Sequence, residues 1–245
     1  WSGKRFKREN WSMAEEHAPR RESNGQEEKD EFTSPGPLTN FQKMKYEVAK
    51  FIMWFLAVVL YRLKHFGREN IPLEGGFVLA ANHQCFFDPF FVGSGVSQPV
   101  HFMTRASAFK IPLIGTIMRQ FTAFPVERGQ ADIRAFRRSV RLLEVGEPVL
   151  IFPEGTRTSD GKISKMKSGA ISIAQRAGCP IVPAAVRGAY EAWPRHQKIP
   201  GLGKVSVAYA PAIQPGEGKD DAAAVAQEVE LAVRNLYDSL EHRHA

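Results

Sequence analysis

Runs of apolar residues alternate along the chain with mixed stretches whose apolar positions recur every three or four residues. From residue 66 onward the apolar runs mark strands over 76–81, 99–103, 121–126, 148–152, 180–186 and 203–210. Between them Ile133, Phe136, Val140 and Leu143 fall on one helical face, as do Met166, Ala170, Ile173 and Ala177. Val225, Val229, Ala232, Leu236 and Leu240 predict a last amphipathic helix. Apolar strands separated by helices predict an α/β fold, a mostly parallel central sheet flanked by helices. No internal repeat is visible.

The region before residue 66 follows other rules. Residues 1–39 are rich in Glu, Lys, Arg, Ser, Asn and Gln and close on Pro35-Gly36-Pro37. Such a composition buries little apolar surface and predicts a disordered tail or linker. Residues 40–65 then hold an unbroken apolar run, Phe51 to Tyr61. Lys43, Lys45 and Lys50 precede it, and Arg62, Lys64 and Arg68 follow. As a helix this run is about 16 Å long, roughly half the hydrocarbon thickness of a bilayer. It is apolar on every face, with Trp54, Phe55 and Tyr61 among cations that can snorkel to phosphates. We therefore expect an N-terminal membrane-associated helix lying in the interface rather than spanning it, the alternative being a buried core helix. The expected domains are thus 1–39, 40–65 and 66–245.

Charge sharpens the choice of partners. The net charge is +7, yet residues 1–40 hold seven Lys/Arg against eight Asp/Glu, so the excess lies in the remainder. A basic body suits lipid headgroups, phosphorylated substrates or an acidic carrier protein. Nucleic acid is a weaker alternative on charge alone, and with no nucleic-acid module recognisable no nucleic-acid partner is expected. Cys85 and Cys179 have neither metal-site nor secreted-disulfide spacing, which points to a reducing compartment. The histidines also lack ligand spacing, and no metal is expected.

Chemistry concentrates where the first long strand ends, at Asn82-His83-Gln84-Cys85-Phe86-Phe87-Asp88-Pro89. Asp88 before Pro89 has the order of a helix N-cap and a first-turn proline. A strand end holding His83 and a helix start holding Asp88 can set an imidazole against a carboxylate. That pairing fixes the tautomer and supports the imidazolium during proton transfer. A structural histidine and a plain helix cap are the alternative for these residues taken alone.

Three later segments change that balance. Asn82-His83 with Asp88, Phe124-Pro-Val-Glu-Arg-Gly129, Phe152-Pro-Glu-Gly-Thr-Arg157 and Ile181-Val-Pro183 resemble, in order and spacing, four blocks of the glycerolipid acyltransferases. The likeness covers about residues 66–215 and is nearest to the 1-acylglycerol-3-phosphate (lysophosphatidic acid) acyltransferase branch. It implies acyl transfer from acyl-CoA or acyl carrier protein to the sn-2 hydroxyl of lysophosphatidic acid, giving phosphatidic acid. His83 would be the general base and Asp88 its support, with no cofactor beyond the thioester co-substrate. It also implies a membrane-associated enzyme on the cytoplasmic face.

Arg128 resembles the family's acceptor-phosphate arginine, and a guanidinium grips phosphate through paired hydrogen bonds. Glu154, Gly155, Thr156 and Arg157 are implied to bind the glycerophosphate, and Glu154 has the alternative of pairing with Arg157 or Arg128. Lys167 sits in a Lys-x-Gly segment that resembles the one following the third block. Arg105 stands where relatives commonly carry Lys, and Cys85 where they usually carry Ser. These departures leave open another lysophospholipid or an amino lipid as acceptor. A different class, a catalytically silent lipid-binding membrane module, has no need of both His83 and Asp88. A nucleophilic Cys85 is disfavoured because a helical turn would aim its thiol away from the imidazole.

Overall fold

A computed structural model describes residues 39–126, 132–197 and 199–241. Of the tail expected over residues 1–39 all but Thr39 lies outside them, as does the position of Arg128.

Seven strands form one sheet: β1 (Lys64–Phe66), β2 (Val78–Ala81), β3 (His101–Arg105), β4 (Ala123–Val126), β5 (Val149–Ile151), β6 (Ile181–Arg187) and β7 (Ser206–Tyr209). Their order is β1-β7-β6-β2-β5-β3-β4. From β6 to β4 every neighbouring pair is parallel, with Val78 opposite Val149 on one side and Ile181 on the other. β7 runs antiparallel to β6, and β1 is parallel to β7. All six expected strands are present, and the α/β class holds.

β1 had no signal in the sequence. Three residues, Lys-His-Phe, are too few and too polar to show a period, and only the edge offered by β7 makes them a strand.

The central strands are apolar on both faces because helices cover both. Phe77, Leu79, Ala81 and Leu150 pack with α1 (Asn40–Tyr61) and α2 (Asp88–Gly93). Val78, Ala80 and Val149 pack on the other side with α4 (Ile133–Glu144), α5 (Gly169–Ala177) and α7 (Gly218–Ser239). Two short helices, α3 (Pro112–Gln120) and α6 (Ala189–Ala192), complete the layers. The α4 stripe is only partly as expected: Val140 and Leu143 are buried, while Ile133 in the first turn is 61% exposed. Asp132 caps that turn, accepting from the amides of Arg134 and Ala135, so the turn forms without burying Ile133.

α1 opens with a capping box in which Thr39 and Gln42 exchange hydrogen bonds. Among the described residues no helix is long and apolar enough to cross a membrane. α1 is also not free on all sides. Tyr46, Ala57 and Tyr61 are buried against the body, and the Tyr46 hydroxyl accepts from Val100 N–H at 3.2 Å. Lys50, counted in the sequence among cations reaching for lipid phosphates, instead turns inward. Its ammonium donates to the carbonyls of Val96 and Ser97 beyond the end of α2, and burial pulls its pKa below the ordinary value. The opposite face stays bare: Phe41, Met44, Val48, Phe51, Ile52 and Phe55 are all exposed.

Candidate active site

In parallel sheets ligands sit beyond the carboxyl ends of the strands, and here those ends carry the chemistry. His83 follows β2, Arg105 ends β3, and Phe152 to Arg157 follow β5. A cleft of about 520 Å³ opens there, lined by His83, Arg105, Gly155 and Arg157 at its polar end and by apolar side chains such as Phe102, Met103 and Ile151.

His83 Nδ1–H donates to Asp88 Oδ2 at 2.8 Å, leaving Nε2 as the free ring nitrogen of a side chain that is 18% exposed. The ring stacks on Phe152, centroids 4.0 Å apart and planes 14° from parallel. Asp88 is fully buried and does more than cap a helix. It lies inside the first turn of α2 with Phe87 in the cap position, a correction to its expected N-cap role. Its Oδ2 also accepts the amides of Gln84 at 2.5 Å and Cys85 at 2.8 Å. The carboxylate thus draws the turn after β2 around itself, and that turn aims the imidazole.

The backbone of His83 is held from a second direction. Its N–H donates to Glu154 Oε1 at 2.7 Å, and its carbonyl accepts from Thr158 N–H at 2.9 Å. The other Glu154 oxygen accepts Ser164 N–H at 2.7 Å. Burial raises the Glu154 pKa, against which these amide hydrogen bonds work. Glu154 therefore meets the protein's own backbone, and it serves to seat His83 rather than to pair with Arg157. Asn82, also buried, exchanges two hydrogen bonds with the backbone of Val186, locking the end of β2 to β6.

The remaining expected residues fall around the same mouth. Gly155 takes φ +73°, a left-handed turn that glycine enters without strain, and the Lys167 ammonium lies beside it. Lys167 is exposed, its amide donating to Pro153 O. Thr156 is half-buried and is not among the cleft-lining residues. Arg105 is exposed and Arg157 half-buried. Burial, then the positive charge of Arg195, holds the Arg157 guanidinium below its ordinary value. Ile181-Val182-Pro183 lies in buried β6 and carries no chemistry. Thr158, Ser164 and the stacking of Phe152 on His83 have no signal in the sequence. The first two act through backbone amides, which any residue supplies.

Cys85 is excluded from the reaction by its surroundings. Its thiol is fully buried and donates to Asp88 Oδ1 at 3.3 Å. Burial, and then the Asp88 charge, lift its pKa well above the usual range, which disfavours the thiolate a nucleophile needs. Cys85→Ser should keep most of the activity, and iodoacetamide at pH 7–8 should leave the protein active. Rapid inactivation by the alkylating agent, with Cys85 the modified residue, would contradict this.

The acyltransferase family profile matches residues 62–187. The 1-acyl-sn-glycerol-3-phosphate acyltransferase of Bacillus subtilis is 37% identical over 127 residues, 51% of this chain and 63% of that protein. The enzyme of the same name from Pseudomonas aeruginosa is 30% identical over 75% of this chain and 72% of its own. The chloroplastic BAT2 enzyme of Brassica napus is 31% identical, but only 43% of it is spanned. Two of these three relatives are thus matched over less than two thirds of their length. The crystal structure of the 1-acyl-sn-glycerophosphate (LPA) acyltransferase PlsC from Thermotoga maritima superposes with a TM-score of 0.66 at 26% identity. That match covers 81% of this chain and 79% of the other.

Proposed function

The chain belongs to the acyltransferase family, and on that premise we propose that it acylates the sn-2 hydroxyl of lysophosphatidic acid to give phosphatidic acid. The observation that carries this reading is the His83–Asp88 pair, 2.8 Å apart, at the mouth of a cleft with a cationic end and an apolar interior.

In the proposed reaction the lipid hydroxyl attacks the thioester carbonyl while His83 Nε2 takes its proton. Asp88 keeps the other proton on Nδ1 and stabilises the imidazolium. The tetrahedral intermediate collapses with cleavage of the carbon–sulfur bond, and the leaving thiolate recovers the proton from His83. No acyl-enzyme is required, because the lipid itself is the nucleophile. Arg105, Arg128, Arg157 and Lys167 would hold the acceptor phosphate, with Gly155 and Thr156 shaping the loop around it. The apolar interior would take an acyl chain. The thioester donor is acyl-CoA or acylated carrier protein, both anionic and matched to the basic body. The bare face of α1 would rest on the cytoplasmic face of a membrane, where the acceptor is found.

The test is transfer from oleoyl-CoA to lysophosphatidic acid in detergent micelles, by wild type and His83→Ala. Activity lost in a folded variant supports the reading, and activity that survives the substitution overturns the base. Silence of the wild type with both CoA and carrier-protein donors overturns the activity itself.

A further inference from the structure

Two guanidiniums, of Arg105 and Arg157, line the polar end of the cleft, and the charge of a third, Arg195, reaches Arg157 from beyond the matched family region. Arg105 and Arg157 line the cleft, while Arg195 stands in the loop after α6, past residue 187. That loop is built to hold a position. Trp193 packs on Phe87 and on cleft-lining Phe86, with centroids 4.8 and 5.8 Å apart. Its indole N–H donates to Gln197 O at 3.1 Å, and Gln197 N–H returns to Pro194 O at 3.1 Å. Arg195 sits at the exposed crest of this closed turn, near enough to Arg157 for the two charges to repel. Among the described residues none of the three arginines forms an ion pair. Asp88, the nearby carboxylate, is sealed behind His83 and occupied by other donors.

Building on the acyl-transfer reading above, we infer that Arg195 is a binding residue for the acceptor headgroup and selects a phosphate monoester over amine-bearing phosphodiesters. Like charges held together without a counter-ion cost free energy that an arriving anion recovers, and more so the greater its charge. A phosphate monoester carries roughly −1.5 to −2 at pH 7. A phosphodiester headgroup carries a single negative charge, and an ethanolamine or choline adds a cation that three guanidiniums repel. Arg195 thus both attracts the favoured acceptor and opposes the wrong one, as selective sites generally do.

The experiment compares wild type, Arg195→Lys and Arg195→Glu with lysophosphatidic acid and lysophosphatidylethanolamine. KM and kcat are measured for each acceptor, and binding of each to the protein in mixed micelles is measured without donor. Arg195→Glu should raise KM for lysophosphatidic acid about tenfold, with kcat little changed, and should narrow the preference between acceptors by a similar factor. Arg195→Lys should recover most of the preference, since it restores the charge but not the fork. If Arg195→Glu melts as the wild type does and keeps its preference, the inference fails while the activity stands. If the wild type transfers nothing yet binds the monoester in an Arg195-dependent way, the headgroup site stands and the activity falls. Equal binding of both lipids by wild type and variant overturns the selectivity outright.

Discussion

Asp88→Asn should lower kcat by about 10²- to 10⁴-fold, with a smaller change in KM, in a protein that still folds. The carboxylate accepts His83 Nδ1–H and two backbone amides on Oδ2, while among the described residues Oδ1 meets only the Cys85 thiol. An asparagine can keep its carbonyl oxygen on the crowded side and turn its amide group toward the sulfur. The opposite orientation would set an N–H₂ against two N–H donors, so the turn selects the first. What is then lost is the negative charge that supports the imidazolium as the hydroxyl proton arrives. His83→Ala removes the base itself, and the double variant should be no slower than His83→Ala alone, because the two act as one unit. Kinetics on the three variants, with circular dichroism to establish folding, decide the matter. Losses that add across the double variant would mean that Asp88 acts only through the fold.

Phe51→Asp with Phe55→Asp should cut binding to anionic vesicles by at least about 100-fold, since burying each aromatic side chain contributes roughly 1.5–3 kcal/mol. Both residues belong to the bare face of α1, Phe51 63% and Phe55 54% exposed, so the body loses no packing when they change. The melting temperature should hold, and transfer to a short-chain acceptor in solution should persist while transfer to vesicle-borne lipid falls. Cosedimentation with vesicles equal to that of the wild type would remove α1 as the membrane contact. The placement of Lys50 and Tyr46 bears on this prediction. Both tie α1 to the segment following α2, so the face turned away from the body is set by hydrogen bonds as well as by packing.

Much of the fold was legible in the chain. Six strands were visible because buried strands are short apolar runs, although β3 continues past its run through Thr104 and Arg105. The helices over 133–144, 169–177 and 218–239 announced themselves through the spacing of Val140 with Leu143, Ala170 with Ile173, and Val225 with Val229. β1 was silent because its three residues are held by a neighbour distant in sequence. Ile133 broke its stripe because periodicity states which face a residue shares, and only packing determines whether that face is covered.

The candidate site divides in the same way. Residue type and spacing allowed His83 to pair with Asp88, and the resemblance of the later blocks to the glycerolipid acyltransferases implied that Arg105, Glu154, Gly155, Arg157 and Lys167 join them. The direction in which each side chain points was a tertiary matter. Glu154 was read as a ligand residue, yet both its oxygens are taken by amides of His83 and Ser164. Asp88 was read as a helix cap, yet it gathers donors from the turn before its helix. Arg195 has no motif to mark it, and the docking of Trp193 on Phe87 and on cleft-lining Phe86 holds the turn that carries it. Side-chain chemistry travels with the residue and can be read in one dimension. Hydrogen bonds to backbone, and charges brought together from separate loops, exist only once the sheet has set its strand ends side by side.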